Sequence, residues 1–274
     1  MTGLRPRRSR RRSAATLGAA VVTVACTAAG CSEPTAAPDG EPPTPLRVEI
    51  IETLPHDPDA FTQGLEIRDG ELYESTGIAG QSWLRISDFP RGTERKQENL
   101  SGQLFGEGIT VTDDSVWQLT WRDGIAVERD RTSLAEKRRV EYDGEGWGLC
   151  ARSDELVMSD GSATLAFRDP ETFAVNRTVQ VHDESGSVDR LNELECTDDG
   201  RVYANVWTTD TIVAIDPDSG RVTDEIDASA TRRALPQDAS NIDVLNGIAR
   251  IPGTDRFLVT GKYWPAMFVV RFVP

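Results

Sequence analysis

Beyond residue 45 no stretch of this chain sustains an apolar period of about 3.6 residues over three helical turns, whereas short alternating apolar runs bounded by Gly, Asp and Asn recur throughout. The pattern predicts strands and tight turns, an all-β fold. Five segments align with one another: QGLEIRDGELYESTG from 63, EGITVTDDSVWQLTW from 107, WGLCARSDELVMSDG from 147, NELECTDDGRVYANVW from 192 and NGIARIPGTDRFLVTGK from 246. Each has a polar or aromatic residue, usually a Gly, an apolar start, a turn rich in Asp and Gly, and a second strand. The starts are 44, 40, 45 and 54 residues apart. That is the blade period of a β-propeller, in which each blade has four strands. A five-bladed propeller over residues 46–274 follows, with hairpins such as LAFRDPETFAVNRTVQV and TIVAIDPDSGRVTDEIDA as outer strands and with Asp160 and Asp216 as turn formers. The last repeat stops after AMFVVRFV with three strands; RVEIIETL at 47–54 supplies the fourth and closes the ring without an open edge.

In a propeller blade the start of the first strand and the end of the second lie at the same rim. The starts place Gln63, Glu107, Trp147, Asn192 and Asn246 there, and the ends of second strands add Trp121, Trp207 and Lys262. Taken singly, each has a plain structural reading: Asn192 or Asn246 as a turn residue, a Trp as blade packing, Glu107 as a solvated turn. Together they place one carboxylate, three indoles, three carboxamides and one ammonium around one mouth of the central channel, where such folds bind ligands. Cys150 and Cys196 fall on neighbouring innermost strands and are expected to form a disulfide, with two buried thiols as the alternative. A bridge closing a loop of about 47 residues stabilises by roughly 4 kcal/mol in the chain-entropy picture.

The ends change the picture next. Six arginines between residues 5 and 12, the apolar run 14–25 and TAAGC at 27–31 form an export signal over 1–30. Ala28-Ala29-Gly30-Cys31 resembles a lipoprotein processing site with Cys31 as the lipidated residue; a plain secretory signal and an uncleaved anchor are the alternatives, and the arginine run also allows twin-arginine export. Residues 31–45, dense in proline, form a tether to a domain over 46–274. The expected location is therefore the outer face of the cell membrane, or secretion. The formal charge of −15 becomes −21 once the six leader arginines are gone. Such a surface repels phosphate backbones, which argues against nucleic acid and confines membrane contact to the lipid anchor. With only His56 and His182, a histidine zinc centre or a Ser-His-Asp triad lacks parts, and no phosphate-cradling glycine loop is present.

FTQGL (61–65), FGEGIT (105–110), EGWGL (145–149), MSDGS (158–162), LNELE (191–195), YANVW (203–207), LNGIA (245–249) and VTGKYWP (259–265) resemble, in order across all five repeats, the plant-type glutaminyl-peptide cyclotransferases. Cys150, Cys196, the acidic surface and the tether stand outside that likeness. The resemblance implies a five-bladed propeller that converts the N-terminal glutamine of peptides or proteins to pyroglutamate and releases ammonia. It implies Glu107 as proton shuttle, Lys262 at the carbonyl oxygen or peptide backbone, and Gln63 and Asn192 as hydrogen-bonding groups for the γ-amide. Trp121, Trp147 and Trp207 wall the pocket, with Phe61 beside them. No metal or other cofactor enters the expected catalysis, a structural cation in the channel is left open, and a monomer is expected because a closed ring has no edge to pair. The competing readings are a lipid-tethered propeller that binds a peptide or sugar without turnover, and a different hydrolase on the same fold.

Overall fold

A computed structural model of the chain describes residues 41–274. The export signal at 1–30, the lipidation at Cys31 and the tether as far as residue 40 lie outside the described residues. Among the described residues the fold is all-β, with one short helix, α1 (Ser229–Arg233).

The strands run in consecutive antiparallel meanders. After β1 (Thr44–Pro55) come β2 (Thr62–Arg68), β3 (Glu71–Thr76), β4 (Trp83–Asp88) and β5 (Glu94–Asn99), which form one four-stranded sheet. The next is β6 (Gly106–Val111), β7 (Ser115–Thr120), β8 (Ile125–Asp130) and β9 (Glu136–Glu141). A third contains β10 (Leu149–Arg152), β11 (Glu155–Met158), β12 (Thr164–Arg168) and β13 (Val175–Gln180). A small hairpin, β14 (His182–Asp183) with β15 (Gly186–Ser187), precedes β16 (Leu191–Cys196), β17 (Val202–Val206), β18 (Thr211–Ile215) and β19 (Val222–Asp227). The chain ends with β20 (Leu245–Arg250), β21 (Arg256–Gly261) and β22 (Ala266–Val273).

Strand β1 does more than supply a missing partner. It runs antiparallel to β22 from Arg47 to Pro55, the pairing anticipated for 47–54. Its first four residues, Thr44 to Arg47, also run parallel to β19. The last two meanders thereby become one eight-stranded sheet. Alternation of side chains explains the fit: Val48 is buried against Ile226 and Phe268 while Arg47 and Glu49 face water.

Apolar residues gather in wedges between neighbouring meanders. One such wedge combines Tyr73, Leu84 and Ile86 of the first sheet with Ile109, Val111 and Val116 of the second; others join Trp117 and Leu119 to Leu149 and Met158, and Val157 and Phe167 to Leu194 and Val213. The innermost strands touch in sequence: β2 lies against β6 and β20, β10 against β6 and β16, and β16 against β20. Backbones come very close there. A Cβ on Gly108 would sit 2.7 Å from the Trp147 carbonyl oxygen, and one on Gly148 only 2.1 Å from that of Asn192. This explains the Gly that follows most repeat starts.

The Cys150–Cys196 disulfide is present and joins β10 to β16. Asp160 and Asp216 accept hydrogen bonds from the backbone two residues on, as turn formers do.

Candidate active site

Four of the five innermost strands, β2, β6, β16 and β20, do not start as regular ladders. Pairing slips between Thr62 and Gly64, Gly106 and Ile109, Leu191 and Leu194, and Leu245 and Ile248. The skipped positions hold Gln63, Glu107, Asn192 and Asn246. Bulges of this kind release a residue from strict alternation and re-aim its side chain, here at the expense of ladder bonds. Trp121, Trp207 and Lys262 each follow directly on the last residue of a second strand, β7, β17 and β21.

Glu107 is 4% exposed. Gln63 Nε2 donates to its Oε1 at 2.9 Å, and Gln63 Oε1 in turn accepts from Asn246 Nδ2 at 3.2 Å, whose other bond goes to the Thr62 carbonyl at 3.0 Å. A line of neutral amides thus runs from β20 through β2 to the carboxyl of β6. Burial lifts Glu107 well above the ordinary carboxylate range; the ammonium of Lys262 opposes the rise and the charge of Glu145 adds to it. Lys262 is 5% exposed, and its ammonium lies 4.6 Å over the centre of the Phe61 ring. Burial lowers its pKa, against the opposing charges of Glu107 and Asp243. Here a carboxyl and an ammonium, each shifted by burial toward the neutral range, are brought together in one buried site.

An aromatic belt surrounds them. Tyr263 meets Phe61 edge-on at 5.1 Å, Phe61 meets Phe105 at 6.0 Å, and Phe105 meets Trp121 at 5.5 Å. Trp147 meets Trp207 at 5.5 Å. The gap between Trp121 and Trp147 is bridged by a carboxylate: Glu145 Oε2 accepts from Trp121 Nε1 at 2.8 Å and from Trp147 Nε1 at 3.0 Å, while Oε1 accepts from Arg122 Nε at 2.8 Å. Those donors outweigh partial burial and hold Glu145 below the usual carboxylate range. Trp207 is the exposed member, at 38%, and faces the solvent side of the belt. Asn192 is buried, with its backbone carbonyl bound by Ser159 Oγ at 2.6 Å and its side-chain Oδ1 without a protein partner.

Of the eight anticipated residues, Gln63, Glu107, Asn192 and Asn246 stand in the bulges, Trp147 lies two residues ahead of β10, and Trp121, Trp207 and Lys262 follow second strands. Glu145, Phe105 and Tyr263 were not singled out. Glu145 stands in EGWGL, where an acid between glycines reads as solvated; only its spacing of two from Trp147 hints otherwise.

Buried carboxylates along the innermost strands were also unforeseen. Glu193 of β16 accepts from the backbone N–H of Leu65 at 3.2 Å and of Ile248 at 2.7 Å, so one side chain ties three innermost strands. Glu66 accepts from Val111 N at 2.8 Å, and Glu195 from Arg250 N at 3.0 Å. Burial pushes Glu66 up to about 7 and raises Glu193 and Glu195 well above the ordinary range. A cavity of about 560 Å³ is lined by Glu66, Arg68, Cys196, Glu195 and Arg250, at the opposite ends of these strands from Glu107. It contains neither the indoles nor the ammonium. Among the described residues no group of three or more His, Cys, Asp or Glu is arranged to hold a metal ion.

Comparison with known proteins agrees with this geometry. A family model described as glutamine cyclotransferase matches residues 20–272. A glutaminyl-peptide cyclotransferase from Arabidopsis thaliana is 36% identical over 227 residues, covering 82% of this chain and 71% of that protein. The crystal structure of Myxococcus xanthus glutaminyl cyclase matches with a TM-score of 0.78 at 40% identity, covering 84% of this chain and 98% of that one.

Proposed function

The chain belongs to the glutamine cyclotransferase family, and from that premise we propose that it cyclises N-terminal glutamine with Glu107 as the group that moves the proton. The α-amine attacks the δ-carbon of its own side-chain amide, forming the ring bond, and the bond from that carbon to the amide nitrogen breaks. Proximity is supplied by the substrate; the protein must enforce the folded-back conformer, stabilise the oxyanion and carry a proton from the attacking amine to the departing NH2, which leaves as ammonia. One carboxylate can do the last task in both directions. The observation that carries this assignment is the buried Glu107 carboxyl, held by Gln63 and lifted toward the working range by burial.

Lys262 takes the oxyanion or the peptide backbone. Gln63 is bonded at both ends of its amide, which suits it to aiming Glu107. The unpartnered Oδ1 of Asn192 suits a donor of the substrate amide. The indoles of Trp121, Trp147 and Trp207, with Phe61, exclude water and press the side chain back on the amine. The successive contacts of β2, β6, β10, β16 and β20 support reading the fold as a five-bladed propeller with the site at one mouth of its channel.

The same reading takes the chain to be exported by its arginine-rich leader, held at the outer membrane face through Cys31 and the tether at 31–45, and active as a monomer on peptides or proteins with N-terminal glutamine. No cofactor enters the scheme. Ammonia release from a Gln-Ala dipeptide, unaffected by a chelator, is the expected result; tight binding of the dipeptide by folded protein without ammonia would replace the enzyme with a binding module.

A further inference from the structure

His56 lies in the segment between β1 and β2, in a proline-flanked turn that gives no sign of function in the sequence. In the fold its side chain is buried, and both of its ring nitrogens face acceptors. Nδ1 lies 2.6 Å from the Trp264 carbonyl and Nε2 2.8 Å from Glu74 Oε1. A carbonyl can only accept, and Glu74 receives further donors from Thr62 Oγ1 at 2.8 Å and Arg85 Nη2 at 2.8 Å, so it is an ionised acceptor. With two acceptors opposite its two nitrogens, the ring fits its sites as an imidazolium. Arg85 also reaches Asp57 at 3.2 Å. Two cations and two anions are thus balanced in one largely buried cluster.

The position of this cluster matters more than its charge balance. Residues 56–61 and the turn Lys262–Pro265 are laced together by three bonds: His56 N to the Pro265 carbonyl at 3.0 Å, His56 Nδ1 to the Trp264 carbonyl, and Tyr263 N to the Ala60 carbonyl at 2.8 Å. Tyr263 holds a positive φ of 60°, a conformation that a non-glycine residue keeps only when its surroundings impose it. At one end of the lacing stands Phe61, and at the other Lys262, whose ammonium sits over that ring. We propose that His56, as an imidazolium clamped between Glu74 and the Trp264 carbonyl, is a positioning residue that latches the 262–265 turn and so sets Lys262 in the active site. The inference rests on the assignment of Lys262 to that site.

The groups that face the ring are Glu74 of β3, Arg85 of β4, and the Thr260 hydroxyl of β21, 3.3 Å from Nδ1, with Asp57 behind Arg85. Burial disfavours the charged ring and so does Arg85, but Glu74 and the Trp264 carbonyl prevail and raise His56 above its ordinary value. The latch is therefore complete below the ordinary imidazole value of about 6.5 and is lost as pH rises through that elevated value. Glu74, despite burial, is drawn down to about 2 by His56 and Arg85 and stays ionised throughout.

The chain has only two histidines, so ring-nitrogen NMR of the whole protein reads His56 directly, with His182 as the second signal. Both His56 nitrogens should carry protons at about pH 6, and the ring should titrate above about 6.5; a ring that is neutral at about pH 6 overturns the proposal. In kinetics, His56→Gln and Glu74→Gln should lower kcat/KM by about tenfold or more through misplacement of Lys262. They should also move the alkaline limb of the pH profile upward, because a loosened turn returns Lys262 to water. A fold defect alone would lower the amount of active protein without moving that limb, so a limb coincident with wild type in both variants overturns the latch. Lys262→Met in the same assay separates the two levels: wild-type kinetics there would remove the site assignment, whereas a defective Lys262→Met beside unaffected His56 and Glu74 variants would remove only this inference.

Discussion

In the proposed mechanism, Glu107 and Lys262 are two side chains with ordinary solution pKa values far from neutrality that serve a reaction near it. Burial acts on both in the direction that suppresses charge, raising the acid and lowering the base, and each partly restores the other. The pH profile of kcat/KM should accordingly be a bell whose acid limb lies above the usual carboxylate range and whose alkaline limb lies below the usual lysine range. Removing the ammonium removes the one charge that holds Glu107 down. Lys262→Met should therefore shift the acid limb to higher pH as well as lowering kcat/KM; a shift to lower pH would show that the two groups do not sense each other. At this scale the placement of these residues was readable in advance, because Gln63, Glu107 and Asn192 stand at the starts of repeats and Lys262 just after a second strand. Glu145 was not, since its importance comes from two indole N–H groups that only the folded loops bring to it.

Elements explain why those residues could be read. Four of the five repeat starts are bulges, and a bulge tolerates a polar residue ahead of an apolar strand, which leaves a visible break in the alternating pattern. The carboxylates of Glu66, Glu193 and Glu195 left no such mark. They stand inside strands, where alternation assigns a polar residue to solvent, yet they face neighbouring backbones whose N–H groups they satisfy. The parallel pairing of Thr44–Arg47 with β19 was equally invisible, for nothing in TPLR names a partner so distant in sequence. The disulfide acts at the same scale, as a tie between β10 and β16 away from Glu107. The double variant Cys150→Ser, Cys196→Ser should lose about 2–4 kcal/mol of stability, seen as a lower Tm in a thermal melt, with kcat/KM retained well below the transition; a large loss of activity in folded protein would make the bridge part of the site.

Across the whole molecule, closure depends on contacts that join the meanders rather than on any single core. The apolar wedges lie between sheets, and buried carboxylates stitch the innermost strands. That stitching carries a pH signature. Burial and the nearby Glu66 raise the folded pKa of Glu195 above its unfolded value, so folding takes up a proton there. The corresponding stability is complete below the ordinary carboxylate range and is lost as pH climbs through the elevated values, a window that includes about 7, where Glu66 titrates. Glu195→Gln keeps an acceptor for Arg250 N and cannot ionise. Its Tm should fall less than that of wild type between about pH 5 and pH 9; parallel melting curves would dissociate these carboxylates from stability.

The most direct test of the account is the rate of ammonia release from Gln-Ala by Glu107→Gln beside wild type. The amide keeps the size of the side chain and a hydrogen-bonding partner for Gln63 but cannot carry a proton back and forth. A loss approaching the general acid-base factor of about 10² to 10⁴, with a thermal melt showing folded protein, is the predicted result. Retention of more than about a tenth of wild-type activity would contradict it and leave Glu107 as a residue that shapes the pocket without moving the proton.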